Sequence, residues 1–182
     1  MFNLTLATAG LGVLILLKGF GVLARKGKYL EAKKKLLYNR TAGVLLWSLA
    51  VAWTLWEVTK LGPADFGNFK NVLFAIFLAL GISSVWMLKD YLMVRAACVV
   101  WLFISWWLLK AAYFEPVWTK VFFVTSVYVT IVGALYFAVA PWRARDIMDA
   151  MIKKPKLRRT MGWVYVAWGM GLLAAAVSYR FV

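Results

Sequence analysis

Apolar positions along the chain gather into six long blocks, roughly 2–24, 41–60, 71–88, 91–113, 117–140 and 161–181. Each is close to the ~20 residues that cross about 30 Å of hydrocarbon as a helix. None alternates polar with apolar residues, which is the mark of a transmembrane strand. The pattern predicts an all-α integral membrane protein. Residues 1–182 form a single polytopic domain, with six transmembrane helices arranged as three out–in–out hairpins.

Two connecting segments, 25–40 and 141–160, carry a pattern of their own. In Ala144–Ile152, the residues Ala144, Ile147, Met148, Met151 and Ile152 form an apolar stripe along one face of a helix. Arg143, Arg145, Asp146, Asp149 and Lys153 take the other positions, and Pro155 ends the run because it lacks an N–H donor. Tyr29, Leu30, Leu36 and Leu37 repeat the theme, with Lys33 interrupting the stripe. Both segments are predicted to be short amphipathic helices lying in the headgroup plane, apolar face down.

Charge then orients the whole. Segments 25–40 and 141–160 hold seven Lys and Arg each, and with Lys18, Lys89 and Arg95 they place 17 of the 22 basic residues on one side. Lys60, Lys70, Lys110, Lys120 and Arg180 fall on the other. The positive-inside rule makes the richer side cytoplasmic and puts both termini outside. MFNLTLATAG carries no basic stretch ahead of the first apolar block, so that span is expected to remain as an anchor. The small polytopic form suggests a bacterial inner membrane.

Composition narrows the chemistry. The chain is 64% hydrophobic with 11 Trp, well above the ~45–50% apolar usage of soluble proteins. A net charge of +15 in a soluble chain would point to nucleic acid. Here the cations crowd between apolar blocks, so the expected partners are anionic lipid headgroups and no nucleic acid. There is no His, which excludes imidazole-held haem and His proton relays. Cys98 is the sole cysteine, so no intrachain disulfide forms and no cofactor is expected.

Each even-numbered block opens alike, with Arg40-Thr-Ala-Gly, Arg95-Ala-Ala-Cys and Arg159-Thr-Met-Gly, then Trp47, Trp101 and Trp163. The odd-numbered blocks each carry a mid-span glycine (Gly12, Gly81, Gly133). This suggests a threefold parallel repeat, although positive-inside placement of Arg explains much of it.

Candidate sites follow. Lys33, Lys34, Lys35, Arg143, Arg145, Lys153, Lys154, Lys156, Arg158 and Arg159 are the expected contacts for lipid headgroups or a partner. Lys18, Glu57 and Lys110 are candidates for an intramembrane polar site, with a Glu57–Lys110 pair near the outer surface and Lys18 snorkelling to the headgroups. Ala167, Gly171 and Ala175 recur every four residues as a helix-packing seam, within the chain or between copies. Trp53, Trp56, Trp106, Trp107 and Trp118 suit an outer interfacial belt. Asp146 and Asp149 have the spacing to share a divalent metal, but the surrounding cations favour charge pairing, and no metal site is assigned. No phosphate loop or activated nucleophile is visible. The leading expectation is a non-enzymatic accessory or scaffold subunit, or a homo-oligomer. A small channel or transporter comes second and a lipid-modifying enzyme third.

Overall fold

The computed structural model describes residues 4–24, 28–87, 91–113, 115, 118 and 120–179. Eight α-helices follow one another: α1 (Leu4–Ala24), α2 (Lys28–Leu37), α3 (Arg40–Thr59), α4 (Lys70–Met87), α5 (Leu92–Ala112), α6 (Lys120–Val139), α7 (Trp142–Lys153) and α8 (Pro155–Ser178). No strand occurs among the described residues. Six helices (α1, α3, α4, α5, α6 and α8) are long and apolar enough to cross a membrane. Apart from a few charged residues, most of them in the end turns, they are apolar all round. Leu6, Leu45, Val132 and Val139 point outward, each more than 60% exposed. A helix with no polar face suits a hydrocarbon surround.

The helix ends have local causes. Asn39 caps α3 by accepting the Ala42 N–H at 3.1 Å, a contact typically worth ~1 kcal/mol. Pro155 does more than end a helix. It stops α7 at Lys153 and also occupies the first turn of α8, where its fixed φ suits helix entry and its missing N–H costs nothing. The last membrane-length helix therefore starts at Pro155 and not near 161. Lys156, Arg158 and Arg159, expected in a loop, lie in its first turns.

The packing departs from a set of sequential hairpins. The most extensive contact joins the first and last helices, α1 and α8. Two glycine pairs bring them together antiparallel. A methyl group added at Gly169 would lie 2.9 Å from the Gly12 carbonyl and 2.6 Å from Leu16. One added at Gly19 would lie 3.1 Å from the Gly162 carbonyl, and one at Gly162 would lie 2.6 Å from Leu23. Lipid chains are as apolar as leucine, so close backbone approach and dispersion hold such a pair. Leu4, Ala7, Leu11, Ile15 and Leu172 from this pair form the main core with Ala112 of α5 and Phe123 and Val127 of α6.

The remaining helices extend as a row through α5, which packs on α6, α3 and α1. Trp53 of α3 stacks on Phe103 of α5 at 5.1 Å and meets Trp107 edge-on at 5.9 Å. Trp168 of α8 donates to Ser126 Oγ of α6 at 2.8 Å. Lys120 Nζ, opening α6, donates to the Ala112 carbonyl at 3.4 Å and also to that of Glu115, closing the turn after α5. At the edge, α4 packs chiefly on α3, where Trp47 Nε1 donates to the Gly81 carbonyl at 2.9 Å.

The three mid-span glycines sit in different surroundings. Gly12 meets α8 and Gly81 meets Val51, whereas a methyl at Gly133 would touch nothing within 4 Å. Between α3 and α4, two 3-10 turns (Pro63–Asp65 and Gly67–Phe69) flank Phe66, which is left-handed at φ 63°. The Gly62 carbonyl accepts both the Asp65 and Gly67 N–H groups at 2.9 Å.

Candidate functional site

The basic segments build a layer at one end of the bundle. α2 and α7 pack on each other there, against the last turn of α1 and the starts of α5 and α8. Their apolar faces explain the contact. Leu30 of α2 and Met151 of α7 are buried with Val22 of α1, and Tyr29, Met148, Ile152 and Leu157 surround them. Gly21 leaves room for the Tyr29 ring, which a methyl there would approach to 3.0 Å. Ala144 and Leu37 pack beside Val94, Cys98 and Ala134. Most of each amphipathic face is thus covered by protein, and of these residues only Ile147 and Leu36 remain exposed.

The polar faces are joined by two sets of contacts. Lys34 Nζ lies 2.6 Å from Asp149 Oδ1, bridging α2 to α7. That hydrogen bond holds the Asp149 carboxyl below its ordinary range. Both side chains are about a third exposed (34% and 30%), so the pair is worth no more than ~1 kcal/mol. Arg145 donates to Asp146 Oδ1 through Nε at 3.0 Å and Nη2 at 2.9 Å, and through Nη1 to the Tyr91 hydroxyl at 3.0 Å. Tyr91 precedes α5 in a left-handed conformation (φ 59°), its ring 5.8 Å from that of Tyr38. Arg145 and the two tyrosines therefore join α7 to the end of α2 and the start of α5. Tyr38 and Tyr91 carry no charge signal in the sequence. Their one mark is an aromatic hydroxyl at the edge of an apolar block.

The predicted contact residues divide accordingly. Lys34 and Arg145 are engaged inside the layer, and Lys33 lies over the Tyr29 ring at 4.7 Å. Lys35, Arg143, Lys153, Lys154, Lys156 and Arg159 are exposed, and Arg158 is partly so. The two aspartates form separate ion pairs, and no cluster of three or more metal-ligating side chains occurs among the described residues. Of the remaining acids at this end, Glu31 is exposed and Asp90 lies outside the described residues, as do Arg25, Lys26 and Lys89.

Lys18, Glu57 and Lys110 are not brought to one place. Lys18, exposed on α1, lies over the Tyr165 ring of α8 at 4.4 Å. Glu57 pairs with Lys60 at 2.9 Å in place of Lys110. Lys110 lies over Trp106 one turn before it, at 5.1 Å. The predicted seam on α8 is not the helix's line of closest packing. Its buried line is Gly162, Val166, Gly169, Leu172 and Ala176. Gly171 is about two and a half turns from Gly162, on the opposite side, where it approaches Phe122 of α6. Ala167 is exposed and Ala175 only half-buried. Of the outer tryptophans, Trp53 packs between α3 and α5, while Trp56, Trp106, Trp107 and Trp118 stay exposed.

Comparison with protein-family models, with curated proteins and with solved structures finds no match to this chain.

Proposed function

We propose that the chain is a non-enzymatic multi-pass membrane protein whose basic end faces the anionic cytoplasmic leaflet, with both termini outside. It acts as an accessory or scaffold subunit, or as a homo-oligomer, in a bacterial inner membrane. The observation that carries this reading is the division of charge at the basic end. Asp146 and Asp149 are tied into the α2–α7 layer, while the exposed cations lie outside those pairs. Juxtamembrane Lys and Arg each gain ~1 kcal/mol beside anionic lipid. The packed α2–α7 layer holds these cations at the bundle's end, where headgroups would lie.

The subunit role has a second support. Along its membrane-length stretch α4 is only 6% buried. Val72, Ile76 and Leu80, four apart, leave it an apolar face open to lipid or to another helix.

Native mass spectrometry of the protein extracted from its own membrane tests the reading. The expected result is retained anionic phospholipid, a second copy or a foreign subunit. A bare monomer, or one retaining only zwitterionic lipid, would refute it.

A further inference from the structure

The cations of the basic end are unevenly placed. After Asp149, five of them (Lys153, Lys154, Lys156, Arg158 and Arg159) follow within seven positions and no acid interrupts them. None takes part in an ion pair among the described residues. Lys153 ends α7, Lys154 is the single residue between the helices, and Pro155 starts α8. The charges are therefore held at a helical corner. Lys156 and Arg159, three apart, share a face of α8 with their Cβ atoms about 5–6 Å apart. On the following turn Met161, Trp163 and Val164 are exposed and apolar.

We infer that this corner binds phospholipids carrying two phosphates, an assignment that rests on reading the basic end as the headgroup-facing surface. Cations this close repel one another, and a headgroup with one phosphate relieves only part of that repulsion. A headgroup with two phosphates answers the cluster from a single molecule. Once the first phosphate is bound, the second arrives at high effective concentration. The acyl chains then run down α8 over Met161, Trp163 and Val164. Lys34 and Arg145 do not contribute, because Asp149 and Asp146 already hold them. Arg143 stands ten residues before Lys153, about 15 Å along α7, too far to share the same headgroup.

The test uses the full chain in mixed micelles, read by native mass spectrometry. Cardiolipin competes with phosphatidylglycerol at equal total phosphate, with phosphatidylcholine as the neutral background. Removing one juxtamembrane cation weakens binding about fivefold. The expected result is a cardiolipin preference of at least that size, retained in K35Q/R143Q and lost in K153Q/K154Q/K156Q/R159Q. Exchanging each of those four for the other basic residue should restore it. Equal retention of the two anionic lipids, or a preference that survives the quadruple change, overturns the corner site and leaves the headgroup-facing reading intact. Retention of neither above phosphatidylcholine overturns both.

Discussion

α1 and α4 are both apolar helices of membrane length, yet 39% of the membrane-length stretch of α1 is buried and only 6% of that of α4. Hydropathy does not explain the gap, since both helices are strongly apolar along their length. The difference lies in what each presents to its neighbour. α1 offers Gly12 and Gly19, seven apart, to Gly169 and Gly162, also seven apart, on an antiparallel partner. α4 offers Gly81 to Val51, plus one indole hydrogen bond. In hydrocarbon, small residues in matched register decide which helices bury each other, because apolar surface alone gives no preference for protein over lipid.

Substitutions in the glycine seam should have the largest effect on this contrast. Gly169→Leu forces a branched side chain against the Gly12 carbonyl and Leu16, and is expected to destabilise the bundle by about 3 kcal/mol or more. Thermal unfolding in detergent would show it. The same change at Gly10, where an added methyl meets nothing within 4 Å, is expected to stay within ~0.5 kcal/mol. Equal losses at both glycines would remove the register argument.

At the edge, Gly81→Leu must displace Val51 and disturb the carbonyl that receives Trp47. Its expected cost is smaller, ~1–2 kcal/mol, and local. Hydrogen exchange should quicken in α4 while α1 and α8 stay protected. Global loosening would mean that α4 is better anchored than its burial indicates.

The smallest effect belongs to the basic layer. Asp149→Asn should cost ~1 kcal/mol or less, seen as easier proteolysis within α2 and within α7. The Asp149 carboxyl is held below its unfolded value, so its contribution is complete above about pH 4. It is lost as pH falls through the lower folded value. The difference between wild type and Asp149→Asn should therefore vanish in acid and persist at neutral pH.

The membrane-length helices were legible because apolar block length states them directly. Of the basic layer, α7 was legible from the spacing of Ala144, Met148 and Met151, and α2 from Tyr29, Leu30, Leu36 and Leu37. The seam on α8 was not. That helix carries Gly162, Ala167, Gly169, Gly171, Ala174, Ala175 and Ala176, so spacing within it selects several faces equally well. The missing signal lay on α1, whose two buried glycines repeat the seven-residue interval of Gly162 and Gly169. The Glu57–Lys110 pairing failed for a related reason. Two charges at the same depth need not meet when a lysine three residues away is nearer.

The proposed orientation, with the α2–α7 layer toward the cytoplasm, can be read by thiol labelling. Lys154→Cys and Trp118→Cys, each in a Cys98→Ala background, would be treated in intact cells with a membrane-impermeant maleimide. Both positions are exposed and they lie at opposite ends of the bundle. Residue 118 should label in intact cells and residue 154 only after lysis. Labelling of residue 154 in intact cells, with residue 118 protected, would contradict it.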